Sequence, residues 1–105
     1  MGLTVNVEVQ GETTIFKIKG ILDISTNNLI EPYLNNIEHI KILILDFSEL
    51  EFIDSTGIGS IINIIYLSLE GHFTLKLQGI NQEIKDIFET VGVFQILETI
   101  GKGGE

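Results

Sequence analysis

One central segment constrains the fold more than any other: residues 43–60 read LILDFSELEFIDSTGIGS. A continuous apolar run ends at Asp46, a pattern typical of a strand buried on both faces. An acidic connector, residues 47–52, follows, and two hydroxyl residues, Ser55 and Thr56, then open a long apolar helical pattern. Backbone N–H groups and the helix dipole favour an anion at a helix start. The segment therefore predicts a strand, a turn and a helix whose first residues carry hydroxyls.

The rest of the chain alternates strand and helix patterns. Residues 4–10 and 13–19 alternate apolar with polar side chains around Gly11 and Glu12, which predicts a β-hairpin. After a break at 20–23, a helix is expected from Ser25 or Asn28, with Asn28 and Glu31 as a capping box. A strand over 41–47, a helix from Ser55 to Leu69, a strand over 73–77 and a helix from Asn81 to Thr90 should follow. The chain is then expected to end in a short edge element over 94–100 and a frayed tail over 101–105. This order predicts one α/β domain, residues 1–105, with a mixed, mostly parallel sheet of four to five strands and helices packed on it.

The helical segments have apolar faces that identify their expected core side. The inward residues are expected to be Leu29, Ile30, Tyr33, Leu34 and Ile37 in the first helix, Ile58, Ile61, Ile62, Ile65 and Leu69 in the second, and Ile84, Ile87, Phe88 and Val91 in the third. On the opposite side of the second helix, Ser60, Ile64 and Leu67 recur at helical spacing. These three predict an exposed strip for a partner, unless another element of the fold covers them or they are scattered surface residues.

Composition narrows the classes of function. The net charge is −9, with fifteen acidic residues against six lysines and no arginine, so direct binding of nucleic acid or anionic lipid is not expected. There is no cysteine, and the densest apolar stretch is too short and too polar to span a bilayer. His39 and His72 stand in no triad or metal-binding context. We therefore expect a cytoplasmic protein that is not an enzyme and needs no metal or cofactor.

The central motif resembles that of a known family. Asp54-Ser55-Thr56-Gly57-Ile58-Gly59 matches at every position the D-S-[ST]-G-[LIV]-G motif of STAS domains, specifically the single-domain anti-sigma factor antagonists of bacteria. Gly20-Ile21-Leu22-Asp23 is similar to the family's G-x-L-D after the second strand, and residues 84–93 are similar to its third-helix region. The family often has Glu where Ile21 stands and often ends in a further helix, which is expected here to be short or missing.

The resemblance implies a phosphorylation switch centred on Ser55. In such proteins a serine kinase, which also sequesters a sigma factor, phosphorylates the first hydroxyl after the aspartate. The unphosphorylated antagonist binds this kinase/anti-sigma factor and releases the sigma factor, and a serine phosphatase resets the phosphorylated form. The implied partners are thus the kinase and the phosphatase, without direct contact to nucleic acid or membrane, and the chain itself is expected to be a monomer.

The residues around Ser55 have both functional and structural interpretations. Asp23, Asp54, Thr56, Gly57, Ile58, Gly59 and Ser60 are expected to form the phosphoacceptor loop and, with Ile64 and Leu67, the partner surface. Alternatively, Ser55 or Thr56 is simply the helix N-cap, Thr56 being a second phosphoacceptor or the true cap, and Asp23 only caps the next helix. Gly57 and Gly59 are expected to leave room for another backbone. Asp46 is expected to order the connector, and with Asp23, Glu49 and Glu51 to lie at the same end of the sheet as Ser55.

Two other classes of function stay open at this level. One is a STAS subunit of a membrane transport assembly, in which Ser55 need not be phosphorylated. The other is a small-ligand or nucleotide-binding module that uses the helix N-terminus as an anion site.

Overall fold

A computed structural model describes residues 2–35 and 39–96 of the chain. Its elements are, in order, β1 (Leu3–Gln10), β2 (Thr13–Leu22), a 3-10 turn (Asn27–Leu29), α1 (Glu31–Leu34), β3 (Ile42–Ile53), α2 (Ser55–Gly71), β4 (Thr74–Gln78) and α3 (Gln82–Val91). The strands form one sheet in the order β1-β2-β3-β4. β1 and β2 pair antiparallel and the other pairs are parallel. The predicted α/β fold with a mixed sheet and an opening hairpin is confirmed.

β3 is much longer than the sequence predicts. It continues through the connector expected at 47–52 and ends only at Ile53. Two register shifts against β2 each add one residue to β3, as β-bulges do. The bulges turn the strand so that Phe47, Leu50 and Ile53, spaced three apart, are all buried. β2 likewise runs on to Leu22 through the break expected there.

The core lies on one face of the sheet. That face is lined by Val5, Phe16, Ile18, Leu43, Leu45, Phe47 and Leu75, all buried. Phe88 of α3 packs edge-on against Phe47, with ring centroids 5.7 Å apart. Ile42 and Ile44 point to the opposite face and are only half-buried, beside exposed Lys17. The prediction that residues 41–47 are buried on both faces was therefore wrong, since no helix of the described residues covers that second face.

The first helical region is shorter than predicted. The helix expected from Ser25 or Asn28 is a 3-10 turn followed by the four-residue α1. No side chain caps either element, so the predicted capping box of Asn28 and Glu31 is wrong. The reason lies upstream, where the amides of Thr26 and Asn27 both donate to the Asp23 carbonyl and fold the chain into a turn.

The predicted apolar faces of the first and third helices are partly confirmed. Ile30 is buried, whereas Leu29 is 48% exposed. In α3, Asn81 is the N-cap as predicted and Ile84 and Phe88 are buried, but Val91 is 46% exposed. Of the other residues predicted to point inward, Leu34 and Ile87 are half-buried and Tyr33 is 37% exposed. Ile37 lies outside the described residues.

The end of the chain differs from the prediction where it is described. Residues 93–96 are helical and are not part of a sheet edge. The remainder of the expected edge element and the expected tail over 101–105 lie outside the described residues. Within the described ranges, no helix has both the length and the apolarity needed to cross a bilayer.

Candidate functional site

Asp54 is the residue that closes the N-terminus of α2. It has an extended backbone (φ −108°, ψ −174°), and its Oδ1 accepts a hydrogen bond from the Gly57 amide at 2.9 Å. Its own carbonyl accepts the Ile58 amide at 2.9 Å. This is the geometry of an N-cap aspartate, which satisfies the first free amides of a helix. The alternative that Ser55 or Thr56 is the cap is therefore wrong.

The second oxygen of Asp54 holds the preceding loop. Asp54 Oδ2 accepts a hydrogen bond from the Ile24 amide at 3.1 Å, and the Asp54 amide donates to the Leu22 carbonyl at 3.3 Å. The Asp54 carboxylate thus joins the turn after β2 to the start of α2, and its backbone amide bonds to the end of β2. Both carboxylate oxygens of Asp54 accept hydrogen bonds from backbone amides, and the residue is only half-exposed.

Asp23 orders the turn beside Asp54. Its Oδ1 accepts from the amide and the hydroxyl of Ser25 at 2.9 and 2.6 Å, and the Asp23 amide donates to the Thr26 hydroxyl at 3.0 Å. The hydrogen bond from the Ser25 hydroxyl, with further bonds from the Ser25 and Thr26 backbone and the Thr26 hydroxyl, lowers the pKa of Asp23 from its ordinary value despite some desolvation. Of the two interpretations, shaping the loop fits these contacts, since Asp23 caps neither the 3-10 turn nor α1.

Ser55 is left free by this arrangement. It is the first residue of α2 and is exposed. Its hydroxyl forms no hydrogen bond within the part of the chain that is described, and neither do the amides of Ser55 and Thr56. An accessible hydroxyl therefore stands next to two unsatisfied helix N–H groups, which is a favourable environment for a dianion.

Thr56 and Ser60 are less exposed than Ser55. Both are half-buried, and the Ser60 hydroxyl donates to Asn27 Oδ1 at 3.2 Å and to the Thr56 carbonyl at 3.4 Å. Ser60 therefore connects α2 to the 3-10 turn, in addition to any role at the surface.

The two glycines of the motif have different environments. Gly57 is buried, and a Cβ there would clash with the Leu22 carbonyl and lie 2.8 Å from Cγ1 of Ile53. Gly59 is exposed, and a Cβ there would meet nothing within 4 Å. The backbone that Gly57 admits is thus the protein's own, contrary to the prediction, whereas Gly59 does leave space for a partner.

The strip predicted on α2 is not an exposed surface. Ile64 is completely buried and Leu67 is half-buried, and Ile58 is also a core residue. The buried residues of α2 are Gly57, Ile58, Ile61, Ile64, Ile65 and Ser68. The expected core stripe is therefore rotated by about 60° around the helix, taking about 100° per residue. The small residues Gly57 and Ser68 let this side approach the sheet, and Ile62 and Leu69 are displaced toward the surface.

The rotation creates an apolar ridge that the sequence analysis missed. Ile62 is half-buried, while Tyr66 is 49% and Leu69 44% exposed. These residues lie within about 40° of Ser55 around the helix axis, as does Gly59. Their spacing from Ser55 along the sequence could have revealed the ridge. Ile24, 77% exposed, follows Asp23 in the turn that Asp54 holds against the helix start.

Asp46 does not belong to the Ser55 end of the sheet. It pairs with Lys17 and Gln78, and seven further residues of β3, about 20 Å of strand, separate it from Asp54. Its Oδ1 accepts from the amide and the hydroxyl of Ser48 at 2.9 and 2.7 Å, so it orders the chain after it, as predicted. Burial alone would raise the pKa of Asp46, but the hydrogen bonds from Ser48 and Gln78 and the charge of Lys17 lower it overall.

Of the acidic residues expected at the Ser55 end, Asp46 is the one displaced, whereas Glu51 lies near the end of β3, three residues before Asp54. Glu49 lies opposite Lys19 in the sheet, and Glu51 lines a shallow depression with Gly2 and Lys19. Within the described residues, the carboxylates that form hydrogen bonds at the start of α2 and in the turn beside it are those of Asp54 and Asp23. Among the described residues, no group of three or more His, Asp or Glu side chains is placed to hold a metal ion.

Comparison with known proteins gives this arrangement a context. The sequence model of the STAS domain matches residues 4–102. An anti-sigma factor antagonist from Mycobacterium paratuberculosis superimposes with a TM-score of 0.79 at 18% identity, over 90% of this chain and 81% of that one. A sulfate transporter family protein from Wolinella succinogenes gives 0.76 at 21% identity, over 86% and 75%. The phosphorylated form of the Bacillus cell fate determinant SpoIIAA gives 0.70 at 20% identity, over 88% and 86%.

Proposed function

The chain belongs to the STAS domain family, and from that premise we propose that it acts as an anti-sigma factor antagonist. It binds a serine kinase that is also an anti-sigma factor, and the sigma factor is thereby released. Phosphorylation of Ser55 ends this binding, and a serine phosphatase restores it. The proposal includes a cytoplasmic location and no catalytic activity of the chain itself.

The observation that carries the proposal is the division of roles between Asp54 and Ser55. Asp54 makes the capping bonds of α2, while the adjacent Ser55 hydroxyl is exposed and unbonded within the described residues. A phosphate on Ser55 therefore displaces no contact of the fold. It gains the two free amides and the positive end of the helix dipole.

A phosphate that the fold accepts must act on the partner. Phosphoserine adds about −1.5 to −2 charges at pH 7. These charges join Asp54 and Asp23 at the same end of the molecule, next to the apolar residues of the ridge. Burying a dianion beside carboxylates in an interface is unfavourable because both desolvation and like-charge repulsion oppose it. The phosphorylated form should therefore bind the kinase more weakly while keeping the same structure.

The ridge and Ile24 supply the apolar part of the proposed docking surface. Ile62, Tyr66 and Leu69 continue from Ser55 along one side of α2, with Gly59 open between them. An exposed tyrosine flanked by aliphatic residues is a common core of protein interfaces. This surface replaces the strip of Ile64 and Leu67, and it places Ser55 at one end of the contact.

A second candidate function follows from the likeness to the sulfate transporter family protein of Wolinella succinogenes. In that case the chain is a STAS subunit of a transport assembly, and the same surface contacts another subunit. The two functions differ in what Ser55 does, because the transport role requires no phosphate there.

The test is phosphate transfer followed by a binding measurement. The purified chain is incubated with ATP and a serine kinase of the anti-sigma factor class from the same organism, and its intact mass is read before and after. We expect one added phosphate in the native chain and in Thr56→Ala, and none in Ser55→Ala.

Binding to the kinase is then measured by calorimetry for Ser55→Asp and for the neutral control Ser55→Asn. We expect at least a tenfold loss for Ser55→Asp, roughly 1.4 kcal/mol, and little change for Ser55→Asn. Equal binding by the phosphorylated and unphosphorylated chains would contradict the switch. Co-purification with a membrane complex, unaffected by Ser55→Ala, would favour the transport role.

A further inference from the structure

The outer edge of β1 is an unprotected sheet edge. β1 is the first strand of the sheet and pairs with β2 along its whole length without a register shift. Within the described residues no strand pairs with its other side. Six of its eight residues are exposed, and the strand contains no proline and no lysine. Long edge strands usually carry such residues or bulges, which prevent pairing with another chain.

The backbone direction along β1 follows from one hydrogen bond. The Ile21 amide donates to the Gly2 carbonyl at 3.1 Å, in the same register that places Leu3 opposite Gly20. In an antiparallel pair, bonded and non-bonded residue pairs alternate. Even-numbered residues of β1 therefore bond to β2, and the N–H and C=O groups of the odd-numbered residues, Val5 and its successors at 7 and 9, point outward.

The side chains along this edge are also apolar. Val5, Val7 and Val9 share the face of the sheet on which the core lies, and Val7 is 46% and Val9 69% exposed. The opposite face of β1 carries Asn6 and the strand's only charged residue, Glu8. Glu8 forms an ion pair with Lys17 of β2 at 3.1 Å, so the edge is locally close to neutral although the chain carries a net charge of −9.

We propose that β1 pairs with β1 of a second copy of this chain, antiparallel, with the two-fold axis at Val7 or at Asn6. An axis at Val7 sets Val5 opposite Val9 and Glu8 opposite Asn6. An axis at Asn6 sets Val5 opposite Val7 and Glu8 opposite Thr4. In both registers valines meet on one face, polar side chains meet on the other, and the outward backbone groups bond to each other.

Other registers of the same pairing are unfavourable. An axis at Glu8 sets the two Glu8 carboxylates directly opposite each other. An axis at Val5 leaves Val9, the most exposed valine of the strand, beyond the end of the paired segment. Glu8 is the only charged residue of β1, and both favoured registers set it opposite a neutral polar side chain, Asn6 or Thr4. The strand can therefore pair with itself without like charges meeting, which favours a second copy as the occupant in place of the monomer expected from the sequence.

The dimer should be weak and dependent on salt. One strand pairing buries less surface than the roughly 1,000 Å² of a typical stable interface, so we expect a dissociation constant on the order of 100 µM. Two chains of charge −9 repel each other, and this repulsion is screened by salt. Raising ionic strength should therefore tighten the dimer. The inference involves neither α2 nor Ser55, so it stands or fails independently of the proposed function.

The first test is sedimentation equilibrium of the full chain from about 10 µM to 1 mM. We expect a monomer–dimer equilibrium that Val7→Lys weakens at least tenfold. The lysine faces its own copy when the axis is at Val7, and it faces Val5 on the apolar side of the pairing when the axis is at Asn6. Thr74→Lys places the same charge on β4, the other edge of the sheet, and should leave the equilibrium unchanged. A chain that stays monomeric at every concentration, or equal effects of the two lysines, would overturn the proposal.

The second test uses single cysteines, since the chain has none of its own. Under mild oxidation, Asn6→Cys or Val7→Cys should form a disulfide dimer fastest, because the residue on the axis faces its own copy within disulfide range. Val9→Cys is more exposed but lies two or three residues from the axis, so it should react at least tenfold more slowly. Fastest reaction at position 9 would indicate random collision and exclude the proposed pairing.

Discussion

The Asp54 carboxylate accepts a hydrogen bond from the backbone amide of Ile24, thirty residues earlier in the chain, at 3.1 Å. The same carboxylate caps α2 through the Gly57 amide. One side chain therefore fixes both the apolar residue at the tip of the 23–26 turn and the helix that begins with Ser55. Asp54 therefore has a structural role, since it orders the surface around Ser55.

Replacing Asp54 by alanine should destabilise the fold by about 2 kcal/mol. Loss of an N-cap costs about 1 kcal/mol, and loss of the bond from Ile24 adds about 1 kcal/mol. Asn81→Ala is the matched control, since Asn81 caps α3 and its side chain accepts, among the described residues, the Ile84 amide alone. Urea unfolding of both variants measures the difference. A loss for Asp54→Ala no larger than for Asn81→Ala would mean that the bond from Ile24 adds nothing.

The two glycines of the motif should respond oppositely to alanine. Gly57→Ala forces a methyl group against Leu22 and Ile53, and it should cost about 3 kcal/mol or more. Gly59→Ala meets open space in a helix and should stabilise the chain by up to about 1 kcal/mol. Circular dichroism and urea unfolding provide the measurement. A fully stable Gly57→Ala variant would be inconsistent with the close contact between α2 and the end of β2.

The apolar ridge should matter more for binding than for folding. Tyr66→Asp is expected to lower the free energy of unfolding by only about 1 kcal/mol, because about half of the tyrosine is already exposed. It should weaken binding to the kinase at least tenfold. Val91→Asp is the control, because Val91 is 46% exposed against 49% for Tyr66 and lies on α3. Similar binding by the two variants would show that the ridge is not part of the interface.

The stability that Asp23 gives to the turn at 23–26 should decrease as the pH is lowered. Its folded pKa is lowered from the ordinary 3.8, mainly by the hydrogen bond from the Ser25 hydroxyl. The stabilisation is therefore complete above about pH 4 and is lost as the pH falls through the lowered pKa. Wild type should exceed Asp23→Asn in stability at neutral pH, and the difference should shrink below pH 3.8.

The cause of the shift can be tested separately. A carboxyl-detected NMR titration should place Asp23 below 3.8 in the native chain and closer to that value in Ser25→Ala. A titration that Ser25→Ala leaves unmoved would assign the effect to another group.

The sequence predicted the hairpin, the order of elements and the cap of α3, because each depends on local patterns. It missed the length of β3 because Phe47, Leu50 and Ile53 follow a spacing of three, which two bulges produce and a strict alternation cannot indicate. It also placed the core side of α2 wrongly. Apolar residues surround that helix, and its orientation is set by small residues, Gly57 and Ser68, that a hydrophobic pattern does not count.

The sequence identified the residues of the site more completely than it identified the role of each. The D-S-T-G-I-G motif identified the helix start, but which of Asp54, Ser55 and Thr56 caps the helix depends on hydrogen-bond geometry. The bond from Ile24 to Asp54 joins segments far apart in the chain, and no local pattern announces it.

The seating of Gly57 against Leu22 has a consequence for how an enzyme would meet this protein. Because Gly57 packs against the end of β2, the nearby Ser55 hydroxyl lies on a packed helix terminus and not on a flexible loop. A kinase acting on Ser55 would read the shape of the intact domain, so a short synthetic peptide carrying the same residues should be a poor substrate.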